Sequence, residues 1–524
     1  MNDTAERNTA CVLLYEGAHT AETGSDYTLP DYLPDIRKIL RVTGVPRITG
    51  KYMNGDHVEL EGTVQTEILY MAEEGTVHCM PVSAALEQSI AVSGLDENCV
   101  LSVDVRTENT VCRLSGPRRL SVKHKIRSTV RAFAERGMLP VIHDAQNPAA
   151  AANLCTEHGS VHSCTLYCAD TDDLRYSEDV GTGGETVTEI LSCAVSPCVT
   201  DVRSADGSVT CKGEYLIRLF CACAPTEGGQ PVCHAFFRRV PFSETLEADS
   251  VSAGAVCLPD LTVTGCTAAL AEEGRMCAVD FSAELSVTCF SDAECAPVTD
   301  AFVPSYETKC LSEEISVFRP KKTLFGTVSV PAPLRYDSAE EVTEVIDCTG
   351  TVLSCDAAVA DGRLHLSGNM ELSSIVRTKE GRCFPVSAQT PFRADADAGD
   401  LAREPDASPF LSASVVIPEC KCRLDTAAHT VNADAELAFS VFSGCQEICR
   451  TVTDISFSAE ALPAPSTDDA VILCYPMPGE SLWEIAKHYR LPPDELRRAN
   501  RFPAEKKSTA PEDRVLIIPV NTII

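Results

Sequence analysis

Residues 58–70 alternate apolar and polar side chains along their whole length. Val58, Leu60, Gly62, Val64, Thr66, Ile68 and Tyr70 fall on one side, and Glu59, Glu61, Gln65 and Glu67 on the other. A period of two is that of a strand with one face in a core and one in water. The pattern returns at 209–219 and 364–376, each time with glycine at the fifth place. Gly62, Gly213 and Gly368 stand 151 and 155 residues apart. A glycine inside a strand marks a bulge or a close approach of a neighbouring backbone.

The flanks repeat as well. A short strand precedes each copy at 42–48, 190–199 and 345–353. A proline-bearing strand follows at 79–81, 240–242 and 384–392. Then come pairs of alternating strands: 100–105 with 122–133, 261–270 with 277–290, and 413–422 with 431–442. Long helical periods are nearly absent. The fold class expected is therefore mainly β: three tandem β-sandwich or barrel-like repeats at about 1–145, 175–310 and 335–460. The stretches Asp173-Leu174-Arg175-Tyr176-Ser177-Glu178 and Pro333-Leu334-Arg335-Tyr336-Asp337-Ser338 each read as a linker before a copy. Residues 144–152 and 462–469 read as solvated connectors, the second leaving the C-terminal segment free to move. Pro34-Asp35 is expected to start a short helix carrying Ile36, Ile39 and Leu40.

The net charge is −32, which repels phosphate backbones and argues against nucleic-acid binding. The beginning, MNDTAERNTACVLLYEG, lacks the basic and apolar regions of a secretory leader. No apolar run reaches the roughly 18 residues of a membrane helix, so a cytoplasmic location without membrane insertion is expected. There are 27 cysteines and no Cys-x-x-Cys. Cys221 and Cys223, Cys420 and Cys422, Cys164 and Cys168, and Cys445 and Cys449 are close pairs without a matching second pair. The thiols read as small hydrophobes on strand faces, and neither metal nor cofactor is expected. His158 and His162 lie near Cys155, Cys164 and Cys168 in a stretch that reads as irregular linker. Asp31 and Asp35 read as turn caps. No GxSxG, HExxH, Walker A or GxGxxG motif occurs, so no enzyme is expected.

The last fifty residues differ in kind. From residue 470 onward eight Lys/Arg face seven Asp/Glu, so the rest of the chain carries −33. Residues 471–475 form an apolar strand signal, Pro478-Gly479 a turn, and Ser481-Leu-Trp-Glu484 a capping box. Leu482, Ile485, Ala486 and Tyr489 make one helical stripe. Pro492-Pro493 ends that helix, a second helix with Leu496 inward covers 494–499, and 515–518 is a second strand. The expected unit is βααβ at 470–520. Arg497, Arg498, Arg501, Lys506 and Lys507 cluster around its second helix.

In order and wording this segment resembles a LysM domain, through Tyr475, Pro478 to Trp483, Ile485-Ala486, Tyr489, Glu495-Leu496, Ala499-Asn500 and Val515 to Pro519. Arg490 stands where that family often has glycine, and Pro511-Glu512-Asp513 replaces its usual Pro-Gly. LysM domains bind N-acetylglucosamine glycans such as peptidoglycan and are not enzymes. The resemblance implies a groove between Gly479, Glu480, Ser481 and Leu482 on one side and Asn500, Arg501 and Phe502 on the other. Arg497, Arg498 and Arg501, with Phe502 or Leu482 as an apolar anchor, read as a docking patch for an acidic protein. The Pro34-Asp35-Ile36-x-Lys38-Ile39-Leu40 stretch, the repeated β units and the terminal LysM-like segment together resemble the SPOCS-domain spore coat proteins. That resemblance implies a non-enzymatic scaffold of spore coat morphogenesis, made in the mother-cell cytoplasm and placed at the forespore surface. Its LysM domain would dock a SpoIVA-like coat-basement protein. The alternative is a peptidoglycan-binding cell-wall protein.

Overall fold

The computed structural model describes residues 8–96, 98–143, 147–225, 231–337, 341–399, 409–463, 471–502 and 514–519. The connector expected at 462–469 and Lys506 and Lys507 fall largely or wholly outside those residues. The first 137 residues hold six strands: β1 (Thr9–Thr28), β2 (Ile36–Asn54), β3 (His57–Ala72), β4 (Val77–Ala91), β5 (Val100–Gly116) and β6 (Arg119–Gly137). They form two antiparallel sheets, ordered β2-β3-β4 and β1-β6-β5. After β7 (Val141–Ile142), the helix α1 (Pro148–Ala152) and β8 (Cys155–His158) come β9 (Val161–Gly181), β10 (Val187–Ala205), β11 (Ser208–Cys223), β12 (Val232–Glu247), β13 (Val256–Ala271) and β14 (Met276–Cys295). Their sheets run β10-β11-β12 and β9-β14-β13. Beyond β15 (Val298–Phe302) lie β16 (Tyr306–Arg335), β17 (Val342–Ala360), β18 (Arg363–Thr378), β19 (Cys383–Asp397), β20 (Pro409–Asp425) and β21 (Thr430–Ala461). These give β17-β18-β19 and β16-β21-β20. The chain thus contains three six-stranded units of the same strand order.

The three glycines explain one common detail. A Cβ on Gly62 would lie 2.0 Å from the Arg47 carbonyl oxygen, on Gly213 2.1 Å from that of Cys198, and on Gly368 1.9 Å from that of Ser354. Each sits beside a register shift of the preceding strand, at Ile48/Gly50, Val199/Asp201 and Val352/Ser354. The bulge brings a carbonyl over the middle strand, and only a residue without a side chain fits beneath it.

Two further bulges correct the expected helix at Pro34. Ile36 and Ile39 belong to β2, whose register skips between Ile36 and Lys38 and again between Ile39 and Arg41. Each bulge adds one residue to the alternation, so Ile36, Ile39 and Val42 reach the same core at a spacing of three. That spacing imitates a helix. The bulged Leu40 is turned the other way, into a cluster shared with Leu191 and Ile346, which occupy the corresponding bulges of β10 and β17.

The expected linkers are strands. Asp173 to Glu178 lies in β9, where Leu174 and Tyr176 pack against the core of the second unit. Pro333 to Arg335 ends β16, and Leu334 is fully enclosed. The connector at 144–152 is also corrected over residues 147–152, which hold the helix α1. Asn147 caps it, and Ala150 packs with Val298, Val452, Ile455 and Phe457.

The units close on one another cyclically. Strand β10 meets β4, β17 meets β12, and β2 meets β19, so the first strand of one sheet in each unit touches the last strand of the neighbour's corresponding sheet. Polar contacts cross each seam, among them Lys51 with Asp260 at 3.1 Å, Arg239 with Glu419 at 2.6 Å, and Arg106 with Ser414 at 3.1 Å. At one end of the axis Phe133, Phe290 and Phe442 come together from β6, β14 and β21. Their ring centroids are 5.2 Å apart from Phe133 to Phe290 and from Phe290 to Phe442, with Phe318 packed on all three. At the other end Leu69, Phe220 and Ile375 meet, from β3, β11 and β18.

Between these layers lies a buried charge cluster. Arg41 and Arg218 both donate to Asp347, Arg218 Nε reaching Oδ1 at 3.3 Å, and Ser192 donates to Glu67 at 2.5 Å. Each unit contributes to it, and two guanidinium groups are balanced by two carboxylates. The Asp347 side chain has no exposed surface. Burial alone would raise its pKa, but Arg218 and Arg41 overcome that and hold it at about 2.

Candidate partner-binding module

The C-terminal module is β22 (Val471–Cys474), α2 (Leu482–His488), α3 (Pro493–Asn500) and β23 (Leu516–Pro519), with β22 and β23 antiparallel. Gly479 turns the chain at φ +84°. The capping box is complete: the Glu484 amide donates to Ser481 Oγ at 3.0 Å, and the Ser481 amide to Glu484 Oε2 at 2.8 Å. The helix α2 ends at His488, ahead of Pro492-Pro493, where Arg490 turns left-handed and the Leu491 amide donates to Ala486 O at 3.0 Å; Pro493 instead starts α3, in the first helical position, where no amide hydrogen is needed. Arg490 adopts φ +55°, the left-handed conformation that suits glycine at that place.

The residues expected to line a groove divide into structural and open ones. Leu482 is buried in the module core with Trp483, Ile485, Ala486, Leu491, Leu496, Leu516 and Ile518. Asn500 is buried too. Its amide donates to Leu496 O at 2.9 Å and Ile517 O at 2.8 Å, and it accepts from the Ile517 amide at 2.7 Å, tying α3 to β23. Glu480 closes the turn by accepting from the Met477 amide at 2.9 Å, and Ser481 is occupied as the cap. Arg501 takes φ +55° at the end of α3. Phe502 is half-buried beneath the Arg514 guanidinium, 5.2 Å from its ring. Gly479, Arg498 and Arg501 are exposed, while Arg497 is half-buried, 3.6 Å from Asp494.

The odd positions of β22 and its following loop are a feature that the helical reading passed over. Leu473 is 62% exposed, Tyr475 75% and Met477 72%, and Val471 and Ile517 also face outward. The two-residue period of 471–477 was the signal for them. The sheet presents its inner face to α2 and α3 and leaves an apolar stripe outside.

The module also rests on the body. Trp483 Nε1 donates to Asp300 Oδ2 at 2.8 Å, and Lys487 Nζ reaches the same carboxylate at 2.6 Å. The Trp483 ring meets Phe302 edge-on with centroids 4.9 Å apart, and Cys155 packs beside it. Asp300, Phe302 and Cys155 belong to the β8–β15 ribbon, which leans on the long outer halves of β16 and β21. Burial pushes the Asp300 pKa up, but the Lys487 and Trp483 hydrogen bonds outweigh it and leave the carboxyl below its ordinary value. The stretch around His158 and His162, expected to be irregular linker, is strand instead, in β8 and β9, where His158 contacts Thr156 and the Ala296 carbonyl. No helix among the described residues is long and apolar enough to cross a membrane.

Among known families, the model described as "SipL, SPOCS domain" matches residues 35–115, which run from the start of β2 almost to the end of β5. This part of the first unit is therefore similar to a SPOCS domain, a likeness that points to a sporulation-related role. No curated protein matches the chain. No solved structure does either.

Proposed function

We propose that the chain is a non-enzymatic scaffold of spore coat morphogenesis, similar to SipL of clostridia. The SPOCS match at 35–115 carries this reading. The second and third units have the strand order of the first, the same pair of bulges in β2, β10 and β17, and glycine at the same place in the middle strand. We therefore take all three as copies of one SPOCS domain. In this account the C-terminal βααβ unit is a LysM domain whose outer surface docks a SpoIVA-like coat-basement protein in the mother cell. The exposed stripe of Leu473, Tyr475 and Met477 and the exposed Arg498 support a protein partner, since aromatic residues and arginine carry much of the binding energy at interfaces.

The test captures the coat-basement protein from sporulating cells with the full chain, beside sedimentation with peptidoglycan. Tyr475→Ala and Arg498→Glu should leave the circular dichroism spectrum unchanged and weaken capture at least tenfold. Full capture by both folded variants, with loss of peptidoglycan sedimentation, would replace this reading with the cell-wall one.

A further inference from the structure

Three thiols converge at one edge of the third unit. Cys348 lies on β17, and Cys420 and Cys422 lie on β20, the edge strands that abut where the two sheets of the unit meet. The two-residue step from Cys420 to Cys422 puts both on one face of the strand, so both turn toward Cys348. The three sulfur atoms lie within 4.8 Å of one another, and Cys348 Sγ is 3.3 Å from Cys420 Sγ. Cys348 is buried in the core, and the other two are half-buried. Cysteine spacing alone did not reveal this group, because the third sulfur comes from 72 residues upstream of Cys420.

We propose that Cys348, Cys420 and Cys422 form a binding site for a thiophilic divalent cation, with zinc as the natural occupant. A zinc ion bound to thiolates at about 2.3 Å needs sulfurs somewhat under 4 Å apart, a spacing this group reaches with small side-chain shifts. Three thiolates leave the fourth tetrahedral position for water, on the side where Cys420 and Cys422 are partly open. The Asp434 carboxylate acts on Cys420 and favours positive charge there. The cation would displace the thiol protons into solvent on binding.

The other units are internal controls. Cys193 on β10 stands 155 residues before Cys348, and Cys266 pairs with Phe281 as Cys422 pairs with Ala433, nine residues before Phe290 and Phe442 respectively. The second unit thus has two thiols at this place, with Val263, paired to Ala283 as Cys420 is to Ala435, where the third unit has Cys420. The first unit has Val42 and Thr110, and Thr110 is hydrogen-bonded to His124 at 3.1 Å. A three-sulfur set exists only in the third unit among the described residues.

The experiment titrates the reduced, metal-stripped full chain with Co2+ and follows the thiolate-to-cobalt charge-transfer and tetrahedral d–d absorption. The wild type should take up one equivalent with that signature. Cys422→Ser should weaken binding at least a hundredfold, and the half-buried Cys420→Ser should act likewise. Cys266→Ser should leave the titration unchanged. Stoichiometric Zn2+ should bleach the cobalt bands. The proposal is overturned if the wild type gains no such bands, or if they persist undiminished in the Cys420→Ser, Cys422→Ser double variant. Circular dichroism of that variant, which keeps Cys348 in the core, checks that the unit remains folded.

Discussion

Two seams in this molecule are built around a single aspartate, and they differ in everything else. At the axis, Asp347 receives two arginines from two other units, is fully enclosed, and lies between a phenylalanine layer and an aliphatic layer. At the module, Asp300 receives Trp483 and Lys487 with about a third of its side chain exposed, beside one aromatic contact. A buried charge that loses its partners is strongly destabilising, whereas a half-exposed pair contributes little. The first seam therefore holds the three units as one body. The second holds the module reversibly, so the surface proposed to meet a partner sits on the part of the chain that can be released.

The largest expected effect is at the axis. Asp347→Ala removes the one carboxylate that both Arg41 and Arg218 meet, leaving Glu67 alone to balance two buried guanidinium groups, and should cost about 3–5 kcal/mol in urea unfolding followed by circular dichroism. A loss under about 1 kcal/mol would remove the distinction between the seams. Acid should act next. The folded-state pKa of Asp347, about 2, lies below the ordinary aspartate value of about 3.9. Its stabilisation is then fully present above pH 4 and disappears as the pH falls through 2. Asp300 is shifted in the same direction, so the module too should be released by acid and not by base. Trp483→Phe keeps the ring on Phe302 but removes the donor to Asp300. It should weaken docking by about 1 kcal/mol and leave the module folded. Asp300→Asn retains an acceptor for Trp483 and loses only the attraction to Lys487, a screened effect of about 0.5 kcal/mol. Native-state proteolysis within residues 462–470 reads both variants.

Much of the unit architecture was legible. The alternating strands at 58–70, 277–290 and 431–442 lie in β3, β14 and β21, and the fifth-place glycines mark close backbone approaches. The capping box at Ser481 is present as spaced. What failed had physical causes. Strands β1, β9 and the inner half of β16 pair with partners about a hundred residues away, as Thr28 does with Arg119 and Arg335 with Thr430, so no neighbouring stretch of sequence shows what they pair with and their ends read as linkers. Leu69, Phe220 and Ile375 sit where the alternation gives way to consecutive apolar residues, since those strand ends are buried on both faces. Residue type misled at two positions of the groove expected in the module. Leu482 and Asn500 have the residue types of a binding site and the environment of a core.

The single tryptophan makes the contrast between the seams measurable in one titration. Urea unfolding of the full chain would be followed by Trp483 emission, which reports the module seam, and by far-ultraviolet circular dichroism, which reports the strands. The account predicts that emission shifts to the red at lower urea than the loss of strand signal. Asp300→Ala should move only the first transition, and Asp347→Ala should move the second to lower urea. Coincident transitions in the wild type, moved together by both substitutions, would contradict it.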